Sequence, residues 1–112
     1  MDRAAYLHLV QQHLKTFYLL DDQRIETMIP VFAATLRSHM VRLTDLAASG
    51  DPEQLGKASH AVKGALLNMG LADLAATADL IELSCKNGGP AADYQAMISQ
   101  LHTTVFALSE DW

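Results

Sequence analysis

The chain has 112 residues, enough for one domain with a real core and too few for two. Half of its residues are apolar and 19% are charged, a globular balance, and its net charge of −5 argues against nucleic acid as the main partner, because phosphate backbones call for a dense basic face. The one cysteine, Cys85, has no partner for an intramolecular disulfide, which suits a reducing compartment.

Amphipathic spacing predicts helices along the whole chain and no strand. Asp2 is placed to cap a first helix over about residues 3–18, with Tyr6, Leu9, Val10, Leu14 and Phe17 as its buried stripe. Asp21 and Asp22 mark a restart. The second helix spans about residues 23–48 and turns Ile25, Met28, Ile29, Phe32, Leu36, Met40, Leu43 and Leu46 inward; Pro30 within it is expected to kink it or split off a leading turn. Gly50 closes that helix, Asp51 caps the next, Pro52 fits the first position and Gln54 resembles the far side of a capping box. The third helix covers about residues 52–69, with Leu55, Val62, Leu66 and Met69 toward the core and Ala58 and Ala65 beside them; Gly70 ends or bends it. A fourth, over about residues 72–86, carries Leu74, Ala78, Ile81 and Cys85 inward. After the "KNGGP" loop a fifth, about 91–109, buries Tyr94, Met97, Ile98, Leu101, Val105 and Leu108.

Short connections between amphipathic helices make neighbours antiparallel. The expected fold is therefore all-α: an antiparallel four-helix bundle over residues 23–112 with an additional N-terminal helix within residues 1–20, forming a single domain across 1–112. The opening "MDRAAYLHLV" lacks the apolar run of a secretory signal, and no apolar run approaches the roughly 20 residues of a membrane span. A cytoplasmic protein that stays off the membrane is expected.

The stretch "SHAVKGALLNMG", Ser59–Gly70, departs from an ordinary helix. On a wheel at about 100° per residue, His60 lies opposite the core stripe. Gly56 and Gly64 stand one turn away on either side, Lys57 and Lys63 flank at three residues, and Leu67 continues the stripe. A glycine inside a helix costs about 1 kcal/mol relative to alanine. Two glycines bracketing one histidine clear side chains from both ends of the imidazole and let a partner's backbone approach. Two lysines beside the ring disfavour the imidazolium and favour an anion bound there. The pattern suits a histidine that takes on negative charge, as phosphorylation would bring.

The same stretch resembles the signature of the histidine-containing phosphotransfer (HPt) domain family: His, two residues, Lys-Gly, five residues, Gly. His60, Lys63, Gly64 and Gly70 fall on it, Ser59 suits the preceding small position, and "ADLIEL" is similar to the segment that follows. The upstream "VFAATLRSHMVRLTDLAASGD" is similar to the helix that precedes the signature, so the likeness extends over about Ile25–Trp112 and is nearest to the C-terminal HPt domains of hybrid sensor kinases. Pro30 is the one departure noted.

The resemblance implies a phosphocarrier and not an autonomous enzyme. His60 would accept a phosphoryl group from the aspartate of a response-regulator receiver domain and pass it to another. Lys63 would stabilise that group, Gly64 would make room for the receiver, and Gly70 would be structural. Gly56, Lys57 and Leu67 join the docking surface from the wheel. The implied partners are receiver domains and a hybrid sensor histidine kinase, with the chain itself a monomer. No cofactor of its own is expected. With no Gly-rich nucleotide loop and no acid in sequence near His60 beyond Asp51 and Glu53, magnesium is expected to come with the receiver.

Two readings from other classes compete. A metal-binding bundle would place a carboxylate three or four residues from a histidine. None of His8, His13, His39, His60 or His102 has one. A helical adaptor without phosphotransfer chemistry would keep the fold and leave His60 idle. Cys85 and His60 belong to different predicted helices with no orienting motif, so no nucleophilic dyad is expected.

Overall fold

Five α-helices account for most of residues 2–112, which the computed structural model describes: α1 (Arg3–Phe17), α2 (Asp22–Ser49), α3 (Pro52–Asn68), α4 (Ala72–Lys86) and α5 (Ala91–Leu108). No strand occurs among the described residues. Helices α2 to α5 pack in a ring, each against its neighbours in sequence, with α5 closing back on α2. This is the expected four-helix bundle, and α1 is the additional helix, lying against α2 and α5. At about 1.5 Å per residue the 28 residues of α2 span the longest dimension of the molecule, 44 Å.

The helix ends follow from their residues. The carboxylates of Asp2, Asp21 and Asp51 accept from the N–H groups of Ala5, Arg24 and Glu53. Asp51 therefore bonds one residue short of Gln54, and the expected capping box is not closed. Pro30 does not split off a leading turn: α2 runs unbroken through it. The proline is exposed, so the Glu26 carbonyl left without an N–H faces water.

The core is a single apolar cluster fed by all five helices. Leu36, Met40 and Leu43 of α2, Leu55, Val62 and Leu66 of α3, Ile81 of α4, and Leu101 and Val105 of α5 are all buried. From α1 only Val10 and Leu14 reach it fully. Leu9 and Phe17 were expected in that stripe and are exposed, Phe17 by 73%. The reason is geometric: α1 packs on one edge of the bundle, so only a narrow strip of it is covered, and Phe17 is its last residue.

The α3–α4 corner is a Schellman turn. Leu71 N–H reaches the Leu66 carbonyl at 2.9 Å and Gly70 N–H reaches that of Leu67 at 3.0 Å. Gly70 sits in the left-handed region at φ 76°, and a Cβ there would fall 2.5 Å from the Cβ and Cγ of His13. Both Leu66 and Leu71 are buried in the core, the apolar contact that accompanies such a turn. This corner fixes how α4 lies along α3, and so which side chains face His60.

Candidate functional site

His60 stands two turns into α3, with its side chain 66% exposed. The ring leans toward α4, where Nδ1 lies 3.2 Å from Glu82 Oε1. A carboxylate only accepts, so Nδ1 carries the proton in this contact and the lone pair of the neutral ring is at Nε2. Nε2 has no hydrogen-bond partner among the described residues. The result is a ring held by one nitrogen and open at the other.

Glu82 is the hub of the site. Its side chain is 7% exposed, yet it is ionised between cations. Lys63 Nζ donates to Oε1 at 3.0 Å and Lys86 Nζ stands 3.0 Å from Oε2. Burial alone would push this carboxyl up; the hydrogen bonds from Lys63, Lys86 and His60 outweigh it and bring it from 4.5 down to about 2. Lys63 also donates to Asp79 Oδ1 at 3.1 Å. The hydrogen bonds to Glu82 and then to Asp79 hold its ammonium above the ordinary value.

This corrects two expectations. Carboxylates do gather near His60, but they come from α4 and not from α3. The flanking lysines do not act on the ring alone: Lys63 is paired with Asp79 and Glu82, and Glu82 stands directly against Nδ1. Lys57 is exposed on the other flank, 3.7 Å from Glu53.

The remaining sequence candidates separate. A Cβ at Gly64 would meet nothing within 4 Å, so the surface beside the ring is open there. Leu67 is half exposed on the same stripe. Gly56 is buried against α4, where a Cβ would touch that of Cys85 at 3.9 Å. It forms part of the wall of a groove of about 590 Å³ beside His60, lined also by Lys57, Glu82, Cys85 and Lys86. Cys85 is buried at that wall, and burial pushes its thiol up, away from reactivity. Ser59 is fully buried and its Oγ donates to the Ala78 carbonyl at 2.6 Å, pinning α3 to α4 one residue from His60.

Sequence reasoning missed Asp79, Glu82 and Lys86. A signal existed: Glu82 falls four residues after Ala78 and three before Cys85, both buried, so it sits on the covered edge of α4. A glutamate there needs cationic partners.

Among the described residues, no group of three or more histidine, cysteine or acidic side chains is arranged to hold a metal ion, and no helix is long and apolar enough to cross a membrane. A family model described as "Hpt domain" matches residues 27–111. No curated protein and no solved structure gives a significant match.

Proposed function

The chain belongs to the Hpt domain family, the phosphocarriers of two-component phosphorelays that work with response-regulator receiver domains, and from that premise we propose that His60 is its phosphoacceptor and Nε2 the accepting atom. One observation carries this reading: Nε2 is free on a solvent-facing ring whose Nδ1–H is held by a buried, ionised carboxylate.

The step balances on these residues. The Nε2 lone pair attacks phosphorus of a receiver's aspartyl phosphate in line. The bond from phosphorus to the aspartate oxygen breaks, and the carboxylate departs with its electron pair. The ring keeps its Nδ1 proton and takes on positive charge, which Glu82 faces at 3.2 Å. A preorganised charge aimed at a developing charge is the main means by which such a site lowers a barrier. The return step reverses this: a second receiver's aspartate attacks phosphorus and the electron pair goes back to Nε2.

Lys63, paired in the unphosphorylated chain with Asp79 and Glu82, is the proposed cation for the phosphoryl oxygens, and open Gly64 with half-exposed Leu67 is the proposed seat for the receiver's backbone and apolar surface. Gly56 and Lys57 extend that surface toward the groove. Asp79 and Glu82 already bind lysines, so the magnesium that phosphoryl transfer uses is assigned to the receiver. A hybrid sensor kinase is the proposed source of phosphate, and the chain acts as a carrier without kinase activity of its own.

The test is transfer of labelled phosphate from phosphorylated receiver domains of the source organism. At least one should load the wild-type chain with acid-labile, base-stable phosphate, and His60→Gln should take none while keeping its helical spectrum. Normal loading of His60→Gln overturns the assignment. No loading of the wild-type chain by any receiver favours an adaptor without phosphotransfer chemistry.

A further inference from the structure

Lys63 points at α4 and not into the open space above the imidazole. Its Nζ spends two of an ammonium's three donors on Asp79 and Glu82, at 3.1 and 3.0 Å. The seam is balanced before any phosphate arrives: Lys63 and Lys86 oppose Asp79 and Glu82. A phosphoryl group adds about −1.5 to −2 to it.

The two carboxylates differ in what they hold. Glu82 is buried and shared by His60, Lys63 and Lys86. Asp79 is 47% exposed, and its side chain pairs with Lys63 alone. Among the described residues its side chain caps no helix and bonds no backbone group. Its one ion pair among them is with Lys63, whose Nζ shares Glu82 Oε1 with His60 Nδ1.

Resting on the reading of His60 as phosphoacceptor, we infer that Asp79 is a positioning residue that competes with the phosphoryl group for Lys63. While Asp79 holds its share of the ammonium, phosphate on Nε2 is incompletely neutralised. The phosphohistidine is thereby kept high in energy and disposed to give its phosphate to the next aspartate. Sequestering Lys63 favours transit through the site over storage in it.

The competition is readable without a partner. Phosphoramidate loads the full chain: the Nε2–P bond forms, the donor's P–N bond breaks, and ammonia leaves. Phosphorus NMR then follows the second ionisation of the phosphoryl group, which lies near pH 6 for protein phosphates. Asp79→Asn keeps the shape and removes the charge, so Lys63 turns to the phosphate and its dianion gains. The phosphoryl proton affinity should fall about fivefold, the scale of one partly exposed ion pair. In a Lys63→Gln background the same change should move it less than about twofold, because the contested cation is gone. Asp79→Glu should restore the wild-type value.

No shift, a shift of opposite sign, or an equal shift with and without Lys63 overturns the competition and leaves His60 as acceptor. Phosphate that fails to load the wild-type chain, or still loads His60→Gln equally, overturns the acceptor assignment and this inference with it.

Discussion

Gly64 and Gly70 lie six residues apart in one signature and answer to opposite demands. Gly70 is imposed by the fold: its φ is 76°, and a Cβ would drive into His13. Gly64 is helical and a Cβ there would meet nothing within 4 Å, so alanine would fit and would strengthen the helix. The bundle thus gives up helix propensity on the open surface beside His60, where the fold itself asks for no glycine. A motif position can be read as structural or functional by asking what a methyl group would meet.

The contrast can be broken first at Gly70. Gly70→Ala should lose about 4 kcal/mol, combining left-handed strain with the overlap on His13. Thermal or urea melting measures it, and a loss below about 1 kcal/mol would mean the corner is not a constraint.

Next comes the seam. The Glu82 carboxyl is held down, so its contribution is complete above its unfolded value of 4.5 and is lost as pH falls toward about 2. Because His60 and Lys86 are themselves largely exposed and screened by solvent, about 1–2 kcal/mol should disappear across that window. The wild-type melting temperature should therefore fall more steeply between pH 4.5 and 2 than that of Glu82→Gln. Parallel curves would show that Glu82 is not ionised in the folded protein.

The smallest effect sharpens the comparison most. Gly64→Ala should stabilise the fold by up to about 1 kcal/mol. It should leave loading by phosphoramidate, a small donor, unchanged and slow transfer from a receiver domain. A variant that is both more stable and equally fast with receivers would overturn the docking role proposed for Gly64.

These tests also mark what the chain alone disclosed. The helices begin and end within a residue or two of their caps, because Asp21, Asp51 and Gly50 act locally. The fully buried positions of α2, α3 and α5 follow from spacing, whereas Met28, Phe32, Leu46 and Met97, also expected inward, are only partly buried at the stripe edges. The edge helix α1 misled, because periodicity says which face is apolar and not how wide a strip is covered. Leu9 and Phe17 show the difference.

Near His60 the sequence exposed only what lies on the same helix. Lys63, Gly64 and Leu67 were visible by turn counting. Asp79, Glu82 and Lys86 come from α4, and their meeting with His60 depends on the Schellman corner at Gly70 and the Ser59–Ala78 bond. That register is a tertiary fact. It draws Lys63, one of the two α3 lysines, into a four-charge network with Asp79, Glu82 and Lys86 of α4, whose hub is buried.

The central claim rests on a single atom, Nε2 of His60. Nitrogen-15 and phosphorus NMR of the phosphorylated chain tests it directly. The account predicts one phosphoryl group, bonded to Nε2 of His60, with the Nδ1 proton retained against Glu82. Phosphate on Nδ1, or on any of His8, His13, His39 and His102 in place of His60, would contradict it.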